Sequence, residues 1–134
     1  MNSKPKINQE EKYELYCTLN SKKEWPKIRC NLHYTTTSAG LLVFSDTNYL
    51  NEEEMKRPHH TFYRILKKGM QKAHELGVKK IECIGNDKKV MSQLNGEIEP
   101  PDYDDDRSLL YRFYEIKFWE KKFEEATFRY LTTL

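Results

Sequence analysis

Residues 75–96, with the sequence ELGVKKIECIGNDKKVMSQLNG, constrain the fold of this chain more than any other stretch. The apolar run at residues 81–84 lies between two glycines and is too short for an independent helix, so it predicts a buried strand. Asp87 follows and is a typical helix N-cap. This order is half of a βαβ unit. Because ligands collect at the carboxyl ends of strands in open α/β sheets, Asn86 is the first position to inspect for function.

The length and composition favour one globular domain. A chain of 134 residues, 37% hydrophobic and 33% charged, buries enough surface to fold without disulfides or metals. The net charge of +2 leaves the class of partner open. Neither a membrane-spanning run nor the apolar segment of a signal peptide is present, so we expect an intracellular protein, cytoplasmic or nuclear, with no membrane partner.

The amino-terminal half predicts three strands. Residues 1–11 are polar and without periodicity, and we expect a flexible leader there. Alternation from Lys12 predicts the first strand, and residues 28–34 and 41–45 flank a turn-rich segment, which predicts a β-hairpin. Residues 46–57 are expected to be a polar, acidic connection that ends at Pro58.

The second half predicts three helices and two strands. An apolar stripe after Pro58, through Phe62, Leu66 and Met70, predicts a helix that ends at Gly77. A strand at residues 80–84, a short helix at 87–94, a longer helix at 108–124 and a final strand in the tail complete the chain. The expected architecture is therefore α/β, of order βββαβααβ, with helices packed on a mixed five-stranded sheet.

Three phrases of the sequence resemble the ribonuclease H-like superfamily, in particular its reverse-transcriptase-like branch common in plants. They are LYCTLNS in the first strand, FYRILKKGMQKAHELG in the first helix, and LGV, IECIGND and KVMSQLNGE in residues 76–97. The resemblance covers roughly residues 12–134 and implies the ribonuclease H fold. It also implies that this domain lacks the family's final helix, which follows the last strand.

The same resemblance implies a site. In active members, carboxylates from the first and fourth strands, the first helix and the final helix hold two Mg²⁺ ions, which cleave the RNA strand of an RNA/DNA hybrid. The corresponding positions of this chain are Thr18, Phe62 and Asn86, and none is acidic. We therefore expect no catalytic residues, no metal and no cofactor, with Asp87 and Glu14 as the only nearby substitutes for the missing ligands.

Three hypotheses for the function remain. The leading one is a ribonuclease H-like domain without activity that binds RNA, DNA or an RNA/DNA hybrid, or another domain of a longer parent protein. The second is a Mg²⁺-dependent hybrid ribonuclease that uses displaced carboxylates such as Asp87 and Glu14. The third is a protein-interaction domain of a larger protein, since similar domains occur in plants ahead of ubiquitin-ligase modules.

Lysines predict where nucleic acid would bind. Basic residues run from the first long helix to the start of the next and would contact phosphates, although acidic residues interspersed among them also fit an ordinary solvated surface. The candidates are Lys67, Lys68, Lys72, Lys88 and Lys89.

Other clusters are better explained by structure than by ligands. His59 and His60 are adjacent, which suits the start of a helix better than one metal ion. The acidic residues 102–106 lack the spacing of an EF-hand and are expected to begin a helix. The aromatics of residues 111–119 would form core or a base-stacking platform, and their excess suggests a partner surface. Three cysteines without a CxxC motif predict buried, reduced thiols.

Overall fold

The computed structural model describes residues 7–20, 26–34 and 41–132 and contains one five-stranded mixed sheet. The strand order across the sheet is β3-β2-β1-β4-β5, with β1 antiparallel to β2, β2 antiparallel to β3, and β1, β4 and β5 mutually parallel. The strands are β1 (Lys12–Asn20), β2 (Lys27–Tyr34), β3 (Leu41–Tyr49), β4 (Lys80–Gly85) and β5 (Glu125–Tyr130). The mixed sheet predicted from the sequence is confirmed.

Four helices lie within the described ranges: α1 (Glu52–Lys56), α2 (Pro58–Glu75), α3 (Lys88–Leu94) and α4 (Arg107–Glu120). Helix α2 packs against β1 and β2, α3 packs against β5 and β4, and α4 lies on α2. One continuous apolar core joins these helices to the strands. None of the helices in this part of the chain is long and apolar enough to span a bilayer.

The period-2 pattern of β1 determines which face of the sheet carries the core. Tyr13, Leu15 and Cys17 are buried, whereas the intervening residues are only partly covered. Gly69 allows α2 to approach this face closely, because a Cβ there would lie 3.1 Å from a methyl carbon of Leu15 and 3.3 Å from Sγ of Cys30. The predicted apolar stripe of this helix is confirmed, since Phe62, Leu66 and Met70 are fully buried.

The prediction of an irregular acidic connection at residues 46–57 is wrong. Strand β3 continues to Tyr49, and α1 occupies residues 52–56, so the order is βββααβααβ. The physical reason is a capping box: the Asn51 side chain accepts from Glu54 N at 2.8 Å, and the Glu54 side chain accepts from Asn51 N at 3.1 Å. The sequence NEEE carries this signal.

Two other boundaries also differ. Helix α4 ends at Glu120 rather than at residue 124, because the chain turns at Lys121 to bring Glu124 N and Glu125 N to the carbonyl of Lys79 and so starts β5. The predicted N-cap is confirmed, with Asp87 Oδ1 accepting from Val90 N at 3.1 Å. The hairpin turn at 35–40, residues 1–6 of the predicted leader and the last two residues of the predicted tail lie outside the described residues.

Candidate functional site

The parallel pairing of β1 with β4 forms the candidate site. Cys17 lies opposite Gly85, so Thr18 and Asn86 follow at neighbouring strand ends. Helix α2 crosses this edge with its first turns, which carry His59 and Phe62. The three positions that the sequence analysis compared with metal ligands therefore belong to elements that meet here.

The side chain of Asn86 is bound to the backbone of β1. Its Oδ1 accepts from Leu19 N at 2.7 Å, and its Nδ2 donates to Leu19 O at 2.9 Å. A backbone N–H only donates and a carbonyl only accepts, so these partners fix the orientation of the amide. Asn86 thereby extends the β1–β4 pairing beyond the last residue of β4, and its amide is held in place by the backbone of β1.

Phe62 fills the space beneath the end of β4. Its side chain has 0% exposure, and a Cβ at Gly85 would lie 2.7 Å from its ring carbon Cζ and 2.8 Å from Sδ of Met91. The glycine at the end of β4 is thus required for the ring to pack against the strand backbone. An apolar ring in this position excludes both water and a hydrated cation.

Among the described residues, Asp87 is the one carboxylate at this edge, and it is occupied by the fold. Its side chain is only 6% exposed. Oδ1 caps α3, and Oδ2 lies 2.7 Å from Nδ1 of His59. Beneath it, the Tyr63 hydroxyl donates to Gln93 Oε1 at 2.7 Å, and burial with the nearby Asp87 charge raises the pKa of Tyr63. These contacts join α2 to α3 below the strand ends.

Glu14 lies on another part of the sheet. It precedes Thr18 by four residues on the same strand, a distance of about 13 Å at roughly 3.3 Å per residue. Its neighbours are Arg129 Nη2 at 3.7 Å and the Tyr16 hydroxyl at 3.4 Å. Burial and the charge of Glu14 raise the pKa of Tyr16. Glu14 and Asp87 therefore do not converge on one point.

These residues do not fit a pair of magnesium ions. Mg²⁺ requires several oxygen ligands in octahedral geometry, and two such ions need converging carboxylates to offset their repulsion. The edge offers one buried carboxylate, one amide bound to the backbone, and a phenyl ring. Across the described residues, no group of three or more His, Cys, Asp or Glu side chains could hold a metal ion.

The comparisons with known proteins place this geometry in a family. A family model described as reverse transcriptase-like matches residues 49–132, more than half of the chain. The chain belongs to the reverse transcriptase-like family. Ribonucleases H are among the structural neighbours, so this member has the ribonuclease H-like fold. No curated protein sequence matches the chain.

Three solved structures illustrate the likeness in fold. RNase H1 of the archaeon Halobacterium salinarum has 15% identity and a TM-score of 0.64, with 90% of this chain and 85% of that chain covered. The N-terminal RNase H domain of a Mycobacterium tuberculosis protein, solved as a fusion with maltose-binding protein, has 13% identity and a TM-score of 0.69, with 90% and 82% covered. LC11-RNase H1 in complex with an RNA/DNA hybrid has 12% identity and a TM-score of 0.64, with 89% and 84% covered.

The five candidate lysines of this reverse transcriptase-like domain do not share one surface. Lys67 forms an ion pair with Glu115 of α4 at 2.7 Å, whereas Lys68 donates to Asn48 of β3 at 3.0 Å, on the other flank of α2. Lys72 is exposed on α2, and Lys88 and Lys89 are exposed at the start of α3, next to the strand ends. Their binding of nucleic acid remains a prediction.

Sequence reasoning missed one cation at this edge. Arg29 of β2 lies directly opposite Thr18 and is exposed. Within the described part of the chain, Arg29, Lys88 and Lys89 take part in no ion pair. We call these three residues the strand-end cations. The alternation of β2 could have indicated Arg29, because it is the charged residue between the buried Ile28 and Cys30.

The two histidines lie at the start of α2, as predicted, but each contacts a different turn. His59 contacts Asp87, and His60 Nε2 lies 3.1 Å from Asp106 Oδ2. Asp106 is the N-cap of α4, which confirms the predicted acidic helix start. The backbone N–H of Leu109, with smaller contributions from His60 and Ser108, lowers the pKa of Asp106 to about 2.

The aromatics of α4 divide into core and surface. Phe113 is buried and Trp119 is partly buried, whereas Tyr111, Tyr114 and Phe118 are 66%, 58% and 58% exposed. The three predicted buried thiols are confirmed as free and buried, with Cys17 Sγ 3.4 Å from Cys30 Sγ. Burial raises the pKa of Cys17 and of Cys83, so both remain protonated thiols.

Proposed function

We propose that this domain is a non-catalytic member of its family that binds nucleic acid at the edge formed by β1 and β4. The observation that carries the proposal is the state of two side chains. Phe62 is a buried ring packed on Gly85, and Asn86 is bound through its amide to Leu19. Two-metal hydrolysis needs converging charged oxygens, and both positions serve the fold instead.

Binding is supported by the strand-end cations. Arg29 is exposed opposite Thr18, and Lys88 and Lys89 are exposed at the start of α3, so all three are positioned near the strand ends where phosphate oxygens would bind. One protein of the same fold, LC11-RNase H1, was solved in complex with an RNA/DNA hybrid. We propose the hybrid as the preferred nucleic acid for this domain.

Anisotropy and cleavage assays with one labelled 18-base-pair hybrid test both parts of the proposal. We expect saturable binding at low salt, with log K falling linearly against log salt, and no cleavage in Mg²⁺ or Mn²⁺ above a buffer control. Replacing Arg29, Lys88 and Lys89 by Glu should abolish binding and flatten the salt slope, because each lost phosphate contact lowers that slope by about 1. A Lys121→Glu/Lys122→Glu variant, changed just after the end of α4, is the control for a general loss of positive charge.

The results separate the three hypotheses. Metal-dependent cleavage that is lost in Asp87→Asn would favour the displaced-carboxylate ribonuclease. Absence of binding to hybrid, RNA and DNA at low salt would overturn the nucleic-acid proposal and favour a protein-interaction domain. Equal weakening by the control pair would show that binding is governed by overall charge rather than by this edge.

A further inference from the structure

Strand β5 is an edge of the sheet with free backbone groups. Glu125 N donates to Lys79 O at 3.2 Å, and Leu131 N donates to Gly85 O at 2.8 Å. Because successive residues of a strand direct their backbone groups to opposite sides, the odd-numbered residues of β5 face β4. The N–H and C=O groups of Ala126, Phe128 and Tyr130 therefore point outward, and no strand of the described chain pairs with them.

Within the residues that the structure describes, this edge shows none of the features that usually block strand addition. Edges are commonly protected by proline, by lysine, by bulges or by a covering element. The sequence EATFRY contains no proline or lysine, and its six pairs with β4 are uninterrupted. Its two charged side chains are engaged within the sheet, Glu125 with Lys12 and Arg129 with Glu14 and Glu82. The opposite edge, β3, does carry a register shift where it pairs with β2.

A cleft of about 750 Å³ opens along the same strand. Its walls are residues 126–128 of β5, the loop at residues 95–100, and α4. Phe113, Phe128 and Ile98 supply apolar surface, and the Ile98 side chain is 47% exposed. The loop is held in place, since Ile98 N donates to Ser92 O at 3.2 Å and Glu97 N donates to Asn95 Oδ1 at 3.0 Å. A side chain from an added strand would enter this cleft.

The charge around the cleft selects the partner. Glu97, Glu99 and Glu120 line it, and Lys117 is the one cation among the lining residues. Lys117 is already engaged, because its Nζ donates to Leu94 O at 2.7 Å and lies 3.5 Å from Glu120. The surface is thus net negative. A second copy of this chain would bring two negative surfaces together, whereas a segment with Lys or Arg would be attracted.

We propose that the β5 edge and this cleft bind an extended, basic segment of a partner protein by β-strand addition. Backbone groups of Ala126, Phe128 and Tyr130 pair with the segment, and one large apolar side chain enters the cleft. Lys or Arg residues on either side of it meet Glu97 and Glu99. Backbone pairing supplies affinity and the cleft supplies selectivity, as in other strand-addition complexes. This inference does not depend on the nucleic-acid proposal. That proposal concerns the carboxyl ends of β1 and β4 and the start of α3, whereas the cleft lies at the end of α3.

Selection from a phage-displayed library of random nine-residue peptides, followed by synthesis of the most enriched sequence, tests the proposal. We expect enriched peptides to place a large apolar residue between Lys or Arg residues. Amide resonances of residues 126, 128 and 130 should shift on addition of the synthetic peptide. N-methylation of its alternate peptide bonds should weaken binding at least tenfold, and this test requires no change to the protein.

Matched variants locate the contact. Ala126→Pro removes one outward N–H while leaving the bonds to β4. It should lower the affinity for the peptide at least tenfold and leave the circular dichroism spectrum unchanged. Glu97→Lys/Glu99→Lys should lower the affinity for the peptide at least fivefold. Asp105 is an exposed acidic residue elsewhere, and Asp105→Lys should change that affinity by less than twofold. The proposal is overturned by a library that yields no enriched peptide, by binding insensitive to N-methylation, or by shifts confined to other surfaces. Sedimentation that reveals a dimer abolished by Ala126→Pro would also overturn it, in favour of self-association.

Discussion

The end of β4 and the edge of β5 are neighbouring regions of one sheet, and they use their polar groups in opposite ways. At the end of β4, Asn86 is bound to Leu19, and Asp87 is bound to Val90 and His59. Along β5, alternate backbone groups point outward, and Glu97 and Glu99 line the adjacent cleft. Polar side chains are consumed by the fold in the first region, whereas the outward backbone groups of β5 have no strand partner among the described residues.

This difference supports the proposal that the domain keeps its fold without a metal site. A carboxylate held for a metal weakens a fold unless the metal is present, because it is a buried charge without a partner. A phenyl ring and a backbone-bound amide at the same positions stabilise the strand end instead. The four predictions that follow test this contrast, from the largest expected effect to the smallest.

Phe62→Glu should cause the largest loss of stability. It removes a fully buried ring and leaves a carboxylate without a partner in an apolar core, so the free energy of unfolding should fall by more than about 4 kcal/mol. Urea denaturation followed by circular dichroism measures this change. Phe62→Leu is the control and should lose less than half as much. An equally stable Phe62→Glu protein would mean that the position is not committed to the core.

Gly85→Ala should cost about 2 kcal/mol, because the new methyl group would lie 2.7 Å from Cζ of Phe62. A double-mutant cycle with Phe62→Leu tests whether the ring is the cause. The cost of Gly85→Ala should fall by about 1 kcal/mol or more in the Phe62→Leu background. Costs that simply add would contradict the proposed contact.

Asn86→Asp should cost about 1 to 2 kcal/mol at pH 7, because a carboxylate oxygen would replace the Nδ2 donor and face Leu19 O. Ionisation is disfavoured in the folded variant, which raises its carboxyl pKa above the unfolded value of about 4. The loss should therefore be present at pH 7, diminish as the pH falls through the raised pKa of the folded variant, and be smallest below about 4. Parallel unfolding curves of wild type and variant at pH 7 and pH 3.5 measure it, and a loss independent of pH would contradict the interpretation.

Ala126→Pro should have the smallest effect, below about 1 kcal/mol, because its N–H points away from β4. Thr127→Pro is the matched comparison, since Thr127 N–H faces β4 and its loss breaks the sheet pairing at a cost of about 1 to 3 kcal/mol. Thermal unfolding of the two variants side by side measures the difference. Equal losses would mean that the outward assignment of the β5 backbone is wrong.

Periodicity and capping rules predicted most of the fold. The βαβ half-unit, the N-cap at Asp87 and the stripe of α2 depend on local patterns that one sequence displays. Helix α1 was missed although the residues Asn51 and Glu54 of its capping box are three apart, because the surrounding acidic residues resemble a loop. The alternation of β2 could have indicated Arg29 as an exposed charge, but its place beside Thr18 depends on strand pairing, which the sequence does not specify.

Less of the candidate site could be predicted. The absence of acidic residues at Thr18, Phe62 and Asn86 is visible in the sequence, but the reason these residues suit the fold is not. The bond from Asn86 to Leu19 spans 67 positions of the chain, and the contact of Phe62 with Gly85 joins a helix to a strand. The β5 cleft likewise assembles residues 93–100, 113–120 and 126–128, which no local pattern connects.

Titration of the isotopically labelled domain with Mn²⁺ and Mg²⁺, followed by amide NMR spectra, tests the central claim most directly. Mn²⁺ broadens resonances near its site, and Mg²⁺ shifts them, so a metal pair at the strand ends would affect residues 18, 62, 86 and 87 together. The account predicts no saturable, localised change at these amides up to millimolar metal. Stoichiometric broadening centred on Asn86 and Asp87 that Mg²⁺ reverses would contradict it.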